Sequence, residues 1–266
     1  MDTVNPLAPT AYFLQTSERT FEPTRRVGGA WADDEIHFSP LGGLIAHAIL
    51  RHAADRQGPP LQLGRISYDI LGFLALEPVE LTVETIRPGR TIELVEATAV
   101  IRGRAVVKAR AWLLAAFDTA EVAGGASEGL VSPEAAVSWP MADVWRGGYV
   151  ASLDARAVLP PEPGRATVWL STPCDLVAGV EVDPVAAWLA LVDTANGVAV
   201  RRHPTEWMFP NVDLTVHLHR TPAGPWLGLD TEVVFGATGL GVTRSVLHDA
   251  AGACGFAEQS LTIRKL

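Results

Sequence analysis

The apolar positions of this chain change period several times, and each change marks an element. After the breakers Pro210 and Asn211, Val212, Leu214, Val216 and Leu218 alternate strictly with Asp213, Thr215, His217 and His219. A period of two predicts a half-buried strand opening beside Asp213. Earlier, Leu41, Leu44, Ile45, Ala48 and Ile49 recur at helical spacing behind Ser39-Pro40, which reads as N-cap and first helical residue. That helix is expected to end before Gly58-Pro59-Pro60. A strand over 20–27, a Gly28-Gly29 turn and a segment over 31–38 precede it. Strand-like runs over 63–73, 79–87, 91–101 and 105–114 follow it, with Pro88-Gly89-Arg90 and Arg102-Gly103-Arg104 as tight connections. One helix followed by an antiparallel meander is an α+β plan.

The plan then repeats. Residues from 118 to about 140, with Gly124-Gly125-Ala126-Ser127-Glu128-Gly129 and Ser132-Pro133, read as a linker. Strand-like runs over 149–158 and 166–172 come next. Asp183-Pro184 caps a second helix running to about 200, with Val185, Trp188, Leu189, Leu191, Val192 and Ala195 as its apolar positions. Asp193, inside that helix, reads as a surface or capping residue. Strands near 212–220, 226–235, 241–248 and 254–264 complete the half, with 249–252 as the last hairpin turn. The expected organisation is an N-terminal repeat over 1–118, a linker over 119–145 and a C-terminal repeat over 146–266. Laying 65–70 over 211–216 puts Ser67 where Asp213 stands, and a residue near Arg110 where Gln259 stands. The first half has the frame without the polar pair.

Bulk properties narrow the function. The 266 residues suffice for two cores, and 48% hydrophobic with 19% charged residues describes a folded chain. No apolar run is long enough to span a membrane, and residues 1–6 lack the basic start and apolar stretch of a signal peptide. Cys174 and Cys254 supply neither a disulfide framework nor a metal spacing, which fits a reduced, cytoplasmic setting. A net charge of −9 excludes a general nucleic-acid binder. No phosphate-loop, dinucleotide or zinc motif occurs, and His217 and His219 have no third ligand placed beside them by sequence. Gln259 stands out for another reason: it shares a face with Ala257, Leu261 and Ile263, and an amide on an apolar face needs a partner.

Three motifs carry a resemblance that spans nearly the whole chain: Phe38-Ser39-Pro40-Leu41-Gly42-Gly43-Leu44, Val212-Asp213-Leu214 with His217-Leu218-His219-Arg220, and Glu258-Gln259-Ser260-Leu261-Thr262-Ile263-Arg264. With the repeat, they resemble acyl-CoA thioesterases of the double hot-dog type, in which each antiparallel sheet wraps a central helix. The resemblance implies hydrolysis of a fatty or related acyl-CoA to free acid and CoA, without metal or organic cofactor. It implies an acyl-CoA substrate; a homodimer or higher homo-oligomer is expected, and the charge and the lack of a spanning run predict no nucleic-acid or membrane partner. It maps Asp213 to the base and Gln259 to the water holder. The third family position is a Thr or Ser, and Thr238 is the hydroxyl near the matching region.

The chemistry is coherent by itself. Thioester hydrolysis needs a held water, a base for its proton and donors for the oxyanion. The Gly42-Gly43 turn at an electropositive helix start could supply the last, or could serve close helix packing. Two alternatives stand beside hydrolysis. One is a hot-dog hydratase or dehydratase, in which an Asp and a His meet at a helix start; His37 lacks a nearby Asp in the right motif. The other is a non-catalytic acyl-thioester binding protein.

Overall fold

A computed structural model describes residues 10–266. The first half contains β1 (Ala11–Gln15), β2 (Thr20–Pro23), α1 (Phe38–Ala54), β3 (Leu61–Ile70), β4 (Val79–Arg87), β5 (Ile92–Ile101) and β6 (Arg104–Ala115). The second contains β7 (Val137–Ser138), β8 (Asp154–Ala157), β9 (Arg165–Ser171), β10 (Asp175–Val177), α2 (Pro184–Leu189), α3 (Ala195–Val198), β11 (Trp207–Met208), β12 (Asp213–Leu218), β13 (Leu227–Phe235), β14 (Leu240–Asp249), β15 (Gly252–Thr262) and β16 (Arg264–Lys265).

Fourteen of these strands form one sheet in the order β10-β1-β2-β4-β5-β6-β3-β12-β15-β14-β13-β9-β8-β7. The halves meet at a seam where β3 and β12 run antiparallel, with Ser67 opposite Thr215 and Ile66 opposite Val216. At the far ends, β9 and β10 lie near opposite edges of that order, yet Ser171 and Asp175 are only four residues apart, at most about 14 Å of chain. The sheet therefore curls until its two ends approach one another.

Alternation decides what lies inside the curl. On β6, Val107, Ala109, Ala111 and Leu113 are buried, while Lys108 and Arg110 face out and pair with Glu96. Alanines on the inner face let the fully buried Leu41, Leu44, Ile45 and Ile49 of α1 approach the strands. α1 then crosses α2 closely at Gly43, where an added Cβ would sit 2.4 Å from the Cβ of Ala190.

The structure revises several sequence expectations. β1 has no counterpart among the elements expected from sequence. The strand expected over 20–27 stops at Pro23, which has no N–H for the ladder. A 3₁₀ turn over Arg25–Val27 follows, capped by the Thr24 side chain. No strand forms over the expected segment 31–38: Ile36 and Glu35 make isolated bridges to Gly28 and Ala75, and Phe38 already belongs to α1. The cap of α1 is His37 rather than Ser39: its Nδ1 accepts from Ser39 N at 3.1 Å, so Ser39 and Pro40 lie in the first turn.

The second helix differs most. Asp183 caps it, accepting from Val185 N at 2.8 Å, but α2 ends at Leu189 and a 3₁₀ turn over Val192–Thr194 leads into α3. Thr194 N bonds Leu191 O in that turn. The Ala190 carbonyl it would otherwise use accepts from Tyr149 Oη at 3.2 Å. Within the stretch 119–145, Met141 and Trp145 are buried, and Trp145 Nε1 donates to Gly197 O at 2.8 Å. No helix of the described residues is long and apolar enough to cross a membrane.

Candidate active site

The break in the second helix turns Asp193 into the interior, where it is 4% exposed. Two amides meet it there. Gln259 Nε2 donates to Asp193 Oδ1 at 2.7 Å, and Asn211 Nδ2 donates to the same oxygen at 2.7 Å. Gln259 reaches it from the inner face of β15, flanked by buried Ala257 and Leu261. Asn211 is held just ahead of β12: it bridges to Leu261, and its Nδ2 also reaches Asp213 O at 3.0 Å. Gln259 Oε1 is buried and has no partner among the described residues, an acceptor left for a hydrogen from outside the protein.

Burial raises the Asp193 carboxyl to about pKa 7, against the lowering effect of the Asn211 and Gln259 hydrogen bonds. A carboxylate is thus poised to change protonation near neutral pH.

Asp193, Thr194 and Asn211 line a cavity of about 410 Å³. The start of α1 enters it through His37 and Phe38, and Trp31, Ile36 and Trp145 form apolar walls. The Phe73, Val212 and Arg264 lining is exposed and marks the open side. A helix leaves its first N–H groups without intrahelical acceptors. His37 Nδ1 takes that of Ser39 and Pro40 has none, which leaves Phe38 N. The His37 ring lies 4.2 Å from that of Tyr149, and burial pushes its pKa down to about 3, so it stays neutral and able to accept. Tyr149 Oη in turn meets Thr194 Oγ1 at 2.7 Å, and Thr194 Oγ1 meets Ser39 Oγ at 3.3 Å. This chain ties the helix start to the turn that carries Asp193.

Of the residues singled out by sequence, Gln259 is in this group. Asp213 is not brought to it: its Oδ1 accepts from Ser260 N at 2.6 Å, fastening β15 beside the start of β12. The carboxylate that meets Gln259 is Asp193, read from sequence as a surface or cap residue. Thr238 lies exposed in the β13–β14 hairpin turn. Gly42 and Gly43 do not line the cavity: Gly42 O accepts from Tyr68 Oη at 3.0 Å, and Gly43 makes room for Ala190. The helix start contributes one turn earlier. Asp193 did leave a signal, since it follows Leu189 by four residues on the apolar face of the expected helix. Asn211 left none beyond its place beside a proline. Among the described residues no group of three or more His, Cys, Asp or Glu is arranged to hold a metal ion.

Two family models match the chain. One describes the acyl-CoA thioesterase N-terminal domain over residues 27–114, the other the acyl-CoA thioesterase C-terminal domain over residues 133–263. No curated protein sequence matches. Among solved structures, a putative thioesterase from Novosphingobium aromaticivorans aligns with a TM-score of 0.67 at 19% identity, over 94% of this chain and 98% of that one. An acyl-CoA thioesterase II, TesB2, from Mycobacterium marinum gives 0.65 at 17% identity, over 97% and 96%. A hot-dog protein of unknown function from Alicyclobacillus acidocaldarius gives 0.69 at 15%, over 96% of each. The fold is the double hot-dog expected from the repeat.

Proposed function

From the premise that the chain belongs to the acyl-CoA thioesterase family and is a thioester hydrolase, we propose that it cleaves a fatty or related acyl-CoA with Asp193 as base. The observation that carries this is the pair of amides on a single oxygen of Asp193. With Oδ1 accepting from Gln259 and Asn211, Oδ2 is left to take up an incoming water. Asp193 removes a proton from that water as its oxygen bonds to the thioester carbon. The developing oxyanion draws on Phe38 N and the positive end of α1. Collapse expels the thiolate, which recovers the proton from the Asp193 carboxyl. Gln259 Oε1 accepts the second hydrogen of the water and fixes its orientation. Asn211 then serves as the third polar member, in place of the hydroxyl assigned from sequence to Thr238.

The test is thiol release from acyl-CoAs of increasing chain length, with wild type beside Asp193→Asn. Release that survives in the variant would remove Asp193 from the chemistry. The hydration alternative would draw on His37, which shares the cavity with Asp193. Loss of an enoyl thioester's absorbance without thiol release would favour it. For assembly, we propose a homo-oligomer through a sheet face: exposed Val234 and Val242 stand opposite one another on β13 and β14, with Leu240 beside them. Light scattering that returned a monomer would end that idea. Free Cys174 and Cys254 fit a reducing, cytoplasmic location.

A further inference from the structure

The charges around the cavity are unevenly placed. Glu35, on the wall formed by residues 29–38, is pushed up to about pKa 7 by burial and by neighbouring Asp34. Beyond Phe73, which also lines the cavity, a shallow cleft holds Asp33, Asp34 and Glu77 with Arg25 and Arg102, and Arg102 is paired to Glu77. That side repels an anion. On the wall made by Met208, Pro210 and Asn211, the lining cation is Arg264, the one Arg or Lys among the lining residues.

Arg264 is held by β16, a two-residue strand paired with β11, where it stands opposite Met208. Its hydrogen bond among the described residues goes from Nη2 to Met208 Sδ at 2.9 Å. A thioether is a weak acceptor, so the guanidinium keeps most of its five donors for another partner. Its neighbour Lys265 pairs with Trp207 and lies outside the cavity lining, as the period of a strand requires.

We propose that Arg264 determines specificity for a thiol carrier bearing phosphate, binding the phosphorylated end of a pantetheine arm as it leaves the cavity. The proposal rests on the hydrolase reading, and it assigns a direction: the acyl group lies against Trp31, Ile36 and Trp145, and the carrier departs past Met208 and Arg264. The reason is electrostatic. A chain of net charge −9 repels a polyanionic carrier everywhere except where a local cation offsets that field, and arginine matches phosphate in a two-pronged geometry.

The experiment compares wild type, Arg264→Ala and Lys265→Ala on one acyl group carried three ways: on CoA, on a phosphopantetheinylated carrier protein, and on N-acetylcysteamine, which has no phosphate. For Arg264→Ala the KM for acyl-CoA is expected to rise about 10-fold at unchanged kcat, with the KM for the N-acetylcysteamine ester unmoved. The rise should shrink at high salt, because the site is exposed. Lys265→Ala, which removes the same charge from the other face, should change neither. A matching rise with the carrier-protein substrate would show shared recognition of the phosphate, and a rise with only one carrier would identify that carrier. Equal rises with all three carriers, no rise with any, or the same effect from Lys265→Ala would overturn the proposal. Failure of wild type to release thiol from any ester would defeat the hydrolase reading instead. Calorimetric titration of CoA into wild type and Arg264→Ala still decides in that case: weaker binding by the variant upholds the site, and equal binding ends it.

Discussion

The two halves use one frame with different interiors, and the contrast lies in the helix and in one strand of the sheet's inner face. In the first half α1 runs unbroken over Phe38–Ala54, and the inner face of β6 presents Val107, Ala109 and Ala111. In the second half the helix stops at Leu189, a tighter turn carries Asp193, and the inner face of β15 presents Gln259. Chemistry enters where the helix gives way. An intact helix would have kept its hydrogen bonds and left the carboxylate position to the packing stripe. The break removes that regularity, and Tyr149 and Thr194 stabilise the exposed backbone and the turn. A buried carboxylate becomes tolerable there because two amides meet it.

The sharpest way to break the comparison is to make the second interior as inert as the first. Asp193→Asn, nearly isosteric, should lower kcat/KM by about 10²–10⁴-fold, while Asp213→Asn should leave turnover close to wild type. Steady-state kinetics on the two variants side by side would check it, and an inverted result would return the role of base to Asp213. Gln259→Ala should reduce the rate by about 10- to 100-fold through lost water placement. It also removes a hydrogen bond that lowers the Asp193 pKa, so the ascending limb of the pH–rate profile should move to higher pH.

In wild type that limb should rise through about pH 7, because the base must be ionised and burial holds its pKa there. A profile already flat from pH 5 upward would contradict the assignment. Gly43→Ala probes the frame rather than the site. Forcing a Cβ to 2.4 Å from that of Ala190 should cost about 1–3 kcal/mol of stability, read as a lower melting temperature. If the residual folded enzyme keeps its rate, packing is the role of Gly43. Stability against pH supplies a further check. The folded pKa of Asp193, about 7, exceeds the reference value of 3.8. Its contribution is therefore fully present below about pH 3.8 and lost as pH rises through 7. Asp193→Asn should flatten that part of the melting-temperature curve.

What could be read from sequence, and what could not, follows from the range of the interactions involved. β4 was expected over 79–87 and occupies Val79–Arg87, since alternation and Pro88-Gly89 are local signals. Gln259 was legible because an amide on an apolar face is a local anomaly. Asp193 left only its place four residues after Leu189 as a signal, because its meaning lies in partners 18 and 66 residues away. His37 as a cap depended on burial beside Tyr149, while Ser39-Pro40 offered the commoner local pattern. Thr238 is near the matching region only in sequence, and a tight hairpin carries it to the surface.

The seam between β3 and β12 has a consequence for how such a chain could come apart. Each strand occupies the edge that the other would otherwise leave bare, so the tandem arrangement hides within one molecule a surface that would template a second. A fragment ending after β6 would regain that edge and be expected to dimerise through β3, doubling the alanine-lined interior and holding neither Asp193 nor Gln259. It would assemble by the same hydrogen bonds and hydrolyse nothing. Fusion of the halves thus separates two roles that a pair of identical subunits must share: one half is free to keep its helix whole and lend its first turn, and the other to break its own.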